Sequence, residues 1–264
     1  MYEALSAPLP DRERYLERIG YSGPVEHTQE VLSALVYAHH QTVPFENYDL
    51  CELGRPISLE IEHLYDKIVV NRRGGYCFEM NAAFASLLTA LGFDVWPILA
   101  RIFRAPNGIE PTPPLHRINL VCIGDHKYFV DVGFGGAMPA GAVALEDGAI
   151  QEVRGSLYHF KKQPLDKWVL YRETSEKAIE PMIGFTERPN EAVDFITPNY
   201  YTSMNPESMF VRGRIANLRS DDGFVTISNG LFRQVTQTGE TSTPVESKEQ
   251  EFALLKEHFG IVLT

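Results

Sequence analysis

Two adjacent glycines, Gly74 and Gly75, stand directly before a segment in which apolar residues have helical spacing. Glycine reaches backbone conformations that other residues avoid, and it lets a second backbone approach closely. The apolar residues that follow recur every three or four positions, at Met80, Phe84, Leu87, Leu88 and Leu91. This pattern predicts a glycine turn that leads into a helix over about 77–91, with Gly92 ending it.

Cys77 occupies the start of this predicted helix. Unpaired backbone N–H groups and the helix dipole favour an anion at that position, and Arg72 and Arg73 add positive charge. We therefore expect the thiol of Cys77 to ionise more readily than an ordinary cysteine, and the thiolate is the nucleophilic form. The alternative is a small buried hydrophobic cysteine. The combined context of glycines, arginines and a helix start favours the reactive one.

A nucleophilic cysteine needs a base, and the base needs an orienting partner. His116 precedes an apolar run at 118–123, and Asp131 ends the next run at 127–131, so the two runs predict a hairpin that brings these residues together. An ideal hairpin centred on Asp125 leaves Asp131 three positions short of the partner of His116, about 10 Å along the strand. The pair then requires a bulge or a shifted register. The alternative is a histidine at a strand end without a catalytic role.

The residues around Cys77, His116 and Asp131 together resemble the arylamine N-acetyltransferase family. The matching motifs are Arg73-Gly74-Gly75-Tyr76-Cys77-Phe78-Glu79, then His116, then Asp131-Val132-Gly133-Phe134-Gly135. Further matching segments are Val43-Pro44-Phe45-Glu46-Asn47 upstream and Asn199, Ser203 and Phe210 downstream. The resemblance therefore covers nearly the whole chain.

This resemblance implies both a reaction and its substrates. Cys77 would attack the thioester of acetyl-CoA, with His116 as its base and Asp131 orienting the imidazole, and an arylamine or arylhydrazine would then take the acetyl group from the cysteine. Aromatic side chains would line the amine pocket through stacking and apolar burial. The candidate substrate-binding residues are Phe45, Phe134, Arg73, Gly133 and Gly135.

The residue chemistry by itself supports only acyl transfer or hydrolysis through a thiol. Beside arylamine acetylation, two other functions therefore stay open. A cysteine hydrolase or an amide synthase that releases an acyl chain could use the same Cys-His-Asp set. A binding module that keeps the fold without catalysis is a third possibility, and the joint presence of Cys77, His116 and Asp131 argues against it.

The formal net charge of −11 disfavours nucleic acid and anionic membranes as partners, since both attract basic surfaces. CoA is itself anionic, so a CoA-using protein needs a local cluster of cations. By position alone, the candidate CoA-binding arginines are Arg72, Arg73, Arg101 and Arg104.

No metal is predicted. Three cysteines, Cys51, Cys77 and Cys122, form no CxxC pair and argue against a zinc site or a disulfide framework. The neighbouring His39 and His40 do not share one face of the helix they end. The chain shows no signal sequence and no apolar run near the roughly 20 residues that span a bilayer, which predicts a cytoplasmic protein.

The pattern along the chain predicts an α+β protein in three parts. Residues 1–92 form a helical bundle that carries the nucleophile, with helices capped by Asp11, Thr28 and Ser58. Residues 93–196 are rich in β-branched and aromatic residues and predict a small β-barrel that carries His116 and Asp131.

Residues 197–264 predict an α/β lid, entered through a crossover over 187–206. Asn229-Gly230 signals a hairpin, and Ser247 with Gln250 signals the capping of a last helix that Gly260 ends. The family resemblance implies a cysteine-protease-like arrangement of the three parts.

Overall fold

The computed structural model describes residues 2–103, 112–136, 138–173 and 178–263. The α-helices of these residues are α1 (Arg12–Arg18), α2 (Gln29–Thr42), α3 (Tyr48–Cys51), α4 (Ile61–Tyr65), α5 (Cys77–Ala90), α6 (Ile196–Met204), α7 (Met209–Arg212) and α8 (Lys248–Phe259). The strands are β1 (Phe45–Glu46), β2 (Asp94–Ile102), β3 (His116–Ile123), β4 (His126–Val130), β5 (Val143–Ala144), β6 (Ile150–Val153), β7 (Ser156–Gln163), β8 (Lys167–Glu173), β9 (Ile179–Thr186), β10 (Ile215–Arg219), β11 (Phe224–Ser228), β12 (Leu231–Thr236) and β13 (Gly239–Pro244). Short 3₁₀ helices span Glu3–Ser6 and Ala192–Phe195, and a π-helical turn spans Asp66–Val70. None of the helices in these residues is both long enough and apolar enough to cross a membrane.

The helix starts follow the predicted capping residues with one exception. Asp11 and Thr28 cap α1 and α2, because each side chain accepts a hydrogen bond from the backbone N–H three residues on. The prediction that Ser58 caps the next helix is wrong, since Glu60 occupies the N-cap of α4. The Ser58 hydroxyl instead accepts from the N–H of Glu60, a local turn bond that competes with capping.

Helix α5 is buried along almost its whole length, as expected for a helix that is apolar on nearly every side. It ends where predicted, with Gly92 at a φ of +93° directly after its last turn. The helix packs against α1 and α4 and also against β2 and β3. This central position carries its first residue, Cys77, to the strands.

Eight antiparallel strands form a nearly closed barrel, in agreement with the predicted small barrel. Their order is β5-β4-β3-β2-β9-β8-β7-β6. Alternate residues of β2 and β3 point inward, namely Ile98 and Ala100 on β2 and Ile118 and Leu120 on β3. Aromatic side chains complete the barrel core, namely Phe129, Tyr158, Phe160, Trp168 and Phe185.

A second sheet has five strands in the order β1-β10-β11-β12-β13, so it joins one early strand to four strands near the C-terminus. Asn229 and Gly230 form its predicted hairpin turn, and both have positive φ angles, 53° and 72°. As predicted, the Ser247 side chain caps α8 by accepting from the N–H of Gln250, and Gly260 ends the helix at a φ of +67°.

Two features of this region differ from the sequence pattern. The crossover predicted over 187–206 contains α6, and Pro198 is compatible with it because it lies in the first turn, where an N–H has no helical partner. Strand β1, from the predicted helical bundle, pairs with β10 of the predicted lid. The limits 1–92, 93–196 and 197–264 stay predictions, and this sheet joins the first and last of them.

Candidate active site

The double glycine places Cys77 at the helix start because it packs against another backbone. A Cβ on Gly74 would lie 1.7 Å from the carbonyl oxygen of Pro44, so only glycine fits there. The Gly75 carbonyl accepts a hydrogen bond from the Glu46 N–H at 2.9 Å, and Gly75 forms a parallel bridge with Phe45. The two motifs at 43–47 and 73–79 therefore form one local unit that fixes where α5 begins.

A buried network of charged side chains stabilises this local unit. Arg73 contacts Glu46 at 2.8 Å and Asp49 at 3.1 Å, and Lys67 contacts both Asp49 and Glu79 at 2.7 Å. The Glu79 carboxylate accepts from the backbone N–H of Tyr76, the residue before Cys77. The network thus pins the first turn of α5.

The sequence offered Arg73 as a substrate or CoA contact. In the structure it belongs to this charged network and does not line the cavity that opens onto Cys77. Arg72 is exposed, with a φ of 51°. Arg101 is exposed on β2 and its guanidinium donates to the carbonyl of Thr112. Arg104 lies outside the described residues. The assignment of CoA contacts stays a prediction for all four.

His116 and Asp131 meet because of the register of the hairpin β3–β4. Its turn has two residues, and the ladder ends with Asn119 opposite Val130. Asp131 therefore lies two positions from His116 across the ladder and on the same face, whereas the idealised hairpin left three positions and opposite faces. A shift of one residue in register puts both side chains on one face, where they reach each other across the two remaining positions. The Nε2 of His116 donates to Oδ2 of Asp131 at 2.6 Å.

The Cys77 side chain lies close enough to the imidazole of His116 to interact with it electrostatically, and its Sγ donates to the carbonyl of Leu115 at 3.9 Å. Because Asp131 engages Nε2, the other ring nitrogen, Nδ1, is the one left to face the sulfur. Cys77 and His116 are 2% and 4% exposed, and Asp131 is fully buried, so the three groups interact away from bulk water. The structure brings together the three residues that the sequence singled out.

The groups around His116 and Asp131 shift the pKa values of both side chains. Burial alone would lower the pKa of His116, but its interactions with Asp131 and Cys77 raise it to about 10. Burial alone would likewise raise the pKa of Asp131, yet His116 and donors from Asn81 and Gly133 hold it below its ordinary value. The resting pair at neutral pH is therefore an imidazolium beside a carboxylate.

Asn81 is a residue of the site that sequence reasoning missed. Its Nδ2 donates to Oδ1 of Asp131 at 2.8 Å and to the carbonyl of Arg117 at 2.6 Å, and its Oδ1 accepts from the Val132 N–H at 3.0 Å. The available signal was its position four residues after Cys77, because residues at that spacing share one helix face. Asn81 links the helix that carries the cysteine to the strands that carry the other two groups.

The histidines of α2 have structural partners. His39 and His40 lie in the last turn of that helix, as predicted. The Nε2 of His40 contacts the backbone carbonyl of Asp131 at 3.0 Å, and burial lowers the pKa of His40 to about 4. No group of three potential metal ligands occurs among the described residues.

A cavity of about 720 Å³ opens onto Cys77 and His116. Its wall is largely apolar and includes the aromatic residues Phe45, Phe103, Phe134, Tyr201 and Phe210. The Phe134 ring stands edge-on to the imidazole of His116, with 5.9 Å between ring centres. A cavity of this size and lining suits a small aromatic molecule.

Gly133 and Gly135 shape this cavity by close packing. A Cβ on Gly133 would lie 2.7 Å from Cα of Cys77 and 2.7 Å from Nδ2 of Asn81. Gly135 has a φ of +71°, and a Cβ there would lie 2.5 Å from the ring of Phe45. Gly133 lines the cavity, whereas Gly135 supports the Phe45 ring that lines it.

The distant segment with Asn199, Ser203 and Phe210 reaches the site through Tyr76. The Tyr76 hydroxyl donates to the side-chain oxygen of Asn199, and Ser203 lies near enough to the same hydroxyl to affect its pKa. The Phe210 ring packs against Tyr76 in a T-shaped contact, with 5.7 Å between ring centres. The segment thus helps to build the wall beside Cys77.

Comparison with known proteins identifies the family of the chain. A family model described as N-acetyltransferase matches residues 28–264. The chain is 33% identical over 254 residues to an arylamine N-acetyltransferase of Mycolicibacterium smegmatis, which covers 94% of this chain and 91% of that protein. The chain belongs to the arylamine N-acetyltransferase family.

Solved structures of arylamine N-acetyltransferases share the fold. The enzyme from Mycobacterium tuberculosis superposes with a TM-score of 0.87 at 33% identity, over 95% of this chain and 94% of that one. The arylamine N-acetyltransferase of Mycobacterium marinum, solved in complex with CoA, superposes with a TM-score of 0.86 at 30% identity, over 95% and 93% of the two chains. The family resemblance predicted from the motifs is thereby confirmed, and the chain is an acyltransferase by membership.

Proposed function

We propose that this protein transfers an acetyl group from acetyl-CoA to an arylamine or arylhydrazine through an acetyl-Cys77 intermediate. The observation that carries the proposal is the contact of Cys77 with His116, which is itself held by Asp131 at 2.6 Å, at the wall of an aromatic cavity. Membership of the family supports acetyl transfer, and the CoA complex of the Mycobacterium marinum relative supports CoA as the carrier.

The first half-reaction uses the sulfur of Cys77. The thiolate attacks the thioester carbonyl, a new S–C bond forms, and the bond from the carbonyl carbon to the CoA sulfur breaks. The departing CoA thiolate takes the proton from the His116 imidazolium, which leaves the imidazole neutral. Asp131 stays ionised throughout and keeps the ring in place.

The second half-reaction regenerates the enzyme. The amine nitrogen attacks the acetyl carbonyl of Cys77, the S–C bond breaks, and His116 accepts the proton that the nitrogen loses. Helix geometry leaves the first N–H groups of α5 without intrahelical acceptors, so the N–H of Cys77 is our candidate donor to the developing oxyanion.

The remaining finer predictions belong to the same proposal. Phe45, Phe134 and Phe210 would hold the aryl ring of the acceptor, and Gly133 would keep the backbone close to Cys77. The three predicted parts of the chain would have a cysteine-protease-like arrangement. Family membership does not favour the alternatives of a cysteine hydrolase or an amide synthase.

Intact-protein mass spectrometry tests the proposal. After mixing with acetyl-CoA and no amine, we expect one acetyl group on the wild-type protein and none on Cys77→Ala. Adding a simple arylamine should remove that group and yield the acetylated amine. Cys51→Ala is the matched control, since Cys51 lies away from the cavity and should not change the labelling. An unlabelled wild type whose Cys77 is still readily alkylated would overturn acetyl-CoA as the donor.

A further inference from the structure

His40, in the last turn of α2, is a buried histidine that the mechanism proposed above does not use. Its Nε2 lies 3.0 Å from the backbone carbonyl oxygen of Asp131. Because a carbonyl oxygen can only accept a hydrogen bond, Nε2 is the nitrogen that carries the ring proton and donates it. The contact joins residues 91 positions apart and brings α2 to the acidic group of the candidate site.

The carbonyl of Asp131 lies just past the end of the sheet. The ladder between β3 and β4 ends with Asn119 opposite Val130, and the pairing of β4 with β5 also stops before Asp131. Asp131 is fully buried, so its carbonyl needs a donor from the protein. Among the described residues that donor is the ring of His40 and not a neighbouring strand.

Holding this oxygen restricts where the Asp131 carboxylate points. A peptide unit is planar, so a fixed carbonyl oxygen limits rotation about the Cα–C bond and with it the direction of the side chain. Oδ1 accepts from Nδ2 of Asn81 and from the N–H of Gly133, both at 2.8 Å. Oδ2 accepts from His116 at 2.6 Å. The main-chain anchor keeps the carboxylate where its two oxygens reach both sets of donors.

His40 provides this anchor without adding a charge. Burial, and after it the charge of Arg219, lower the pKa of His40 to about 4, although the nearby Asp131 acts in the opposite direction. The ring is therefore neutral at neutral pH. A neutral donor on the backbone leaves the charge of the carboxylate to the imidazolium of His116.

We propose that His40 is a positioning residue for the acetyl transfer, because its ring N–H holds the main chain of Asp131 so that the carboxylate stays directed at His116. This inference rests on the proposed function, since it concerns the same three site residues. Without the anchor, Asn81 and Gly133 would still hold Oδ1, so the contact that lengthens is the one between Oδ2 and His116. The imidazolium would then lose part of its stabilisation.

A matched pair of variants, His40→Met and His40→Gln, tests this role. Both new side chains are unbranched and of equal length, but only glutamine has an N–H donor, at the same number of bonds from Cβ as histidine Nε2. In His40→Met we expect the His116 pKa, measured from the pH dependence of Cys77 alkylation by iodoacetamide, to fall by about 1. The kcat/KM for arylamine acetylation should fall at least about tenfold, and His40→Gln should restore it to within about threefold of wild type.

Alkylation of Cys77 requires no acetyl-CoA, so this measurement is independent of whether acetyl-CoA is the donor. His39→Met is the control, because His39 is equally buried in the same turn but contacts the Tyr15 hydroxyl, at 3.1 Å. We expect it to lower the melting temperature and to leave the pH profile of alkylation unchanged.

Nitrogen-15 NMR of the histidine rings tests the hydrogen bond in the wild-type protein without any substitution. We expect the ring of His40 to be neutral at pH 7 and protonated on Nε2. A wild-type ring protonated only on Nδ1, a wild-type pH profile in His40→Met, or an equal loss of kcat/KM in His40→Met and His40→Gln would overturn the proposal.

Discussion

Each residue of the candidate site is defined by what its buried polar atoms contact. Cys77, His116 and Asp131 are all nearly inaccessible to water, so their contacts with one another replace contacts with solvent. Residue chemistry predicted their types, because a thiol nucleophile needs a base and the base needs an orienting group. Asn81 escaped prediction because its role depends on two strands that approach α5 only in the folded molecule.

The raised pKa of His116 predicts how stability depends on pH. Its ordinary pKa is 6.5 and its value in the fold is about 10, so the folded protein holds a proton that the unfolded chain loses between these values. The stabilisation is complete below about pH 6.5 and disappears as pH rises through about 10. We expect the free energy of unfolding, measured by urea denaturation, to fall over this window more steeply for wild type than for His116→Gln. Parallel curves for the two proteins would contradict the shift.

Asn81→Ala should weaken the site through Asp131. Losing a hydrogen bond to a charged carboxylate should lower kcat/KM for arylamine acetylation roughly tenfold to hundredfold. The Asp131 carboxylate stays ionised but loses a donor that competes with His116, so the His116 pKa, measured from the pH dependence of Cys77 alkylation, should move up. Ser86→Ala on the same helix loses only a bond to the nearby Ala83 carbonyl and serves as the control. An unchanged pH profile would assign Asn81 a purely structural role.

At the scale of elements, one residue of hairpin register decides the site. In β3–β4 the two-residue turn puts His116 and Asp131 on the same face of the ladder. The loop that follows Asp131 then runs against α5 so closely that Gly133 touches the backbone of Cys77. Strand, loop and helix must therefore fit together before the three side chains can meet.

Gly133→Ala should separate the loop from α5. The added Cβ would lie 2.7 Å from backbone Cα of Cys77, so something must shift, and displacements of about 1 Å can cost roughly a hundredfold in rate. We expect acetylation of Cys77 by acetyl-CoA, followed by rapid-quench mass spectrometry, to slow by about that factor. Gly136→Ala is the matched control, because its Cβ would meet nothing closer than 3.6 Å. Equal rates for both variants would show that the loop tolerates the extra atom.

At the scale of the whole molecule, two segments far apart in sequence, at 45–47 and 210–217, together build one wall of the site. Strand β1 pairs with β10, and the Nδ2 of Asn47 donates to the carbonyls of Phe210 and Gly213, both at 2.7 Å. The Oδ1 of Asn47 accepts from the N–H of Ile215 at 2.8 Å. One buried amide thus holds the segment that carries Phe210 to the cavity.

Asn47→Ala should release this segment. Three backbone groups lose their partner, so we expect the free energy of unfolding to fall by about 2–4 kcal/mol. The KM for the arylamine should rise several-fold, while acetylation of Cys77 in the absence of amine should change less, because Cys77 and His116 are held by other elements. Asn205→Ala, which loses one local bond to Glu207, is the control. Equal losses in both half-reactions would mean that the segment supports the whole site.

The sequence by itself determined the local features of this protein. Some features depend only on residues a few positions apart, so the sequence predicts them. They are the start of α5 at Cys77, the caps Asp11 and Thr28, and the Asn229-Gly230 turn. The motifs also determined the family. Ser58 shows the limit of such reasoning, because a hydroxyl can cap a helix or close a turn and only the surrounding packing selects one.

Only the tertiary structure decided which distant groups meet. The contact of His116 with Asp131 required a register that hydrophobic pattern alone does not fix, and the pairing of β1 with β10 joins residues far apart in sequence. The same holds for Asn81, whose hydrogen bonds to Asp131 and to the carbonyl of Arg117 reach segments distant in sequence. Contacts between distant segments depend on the summed packing of the whole chain, and no short stretch of sequence carries that information.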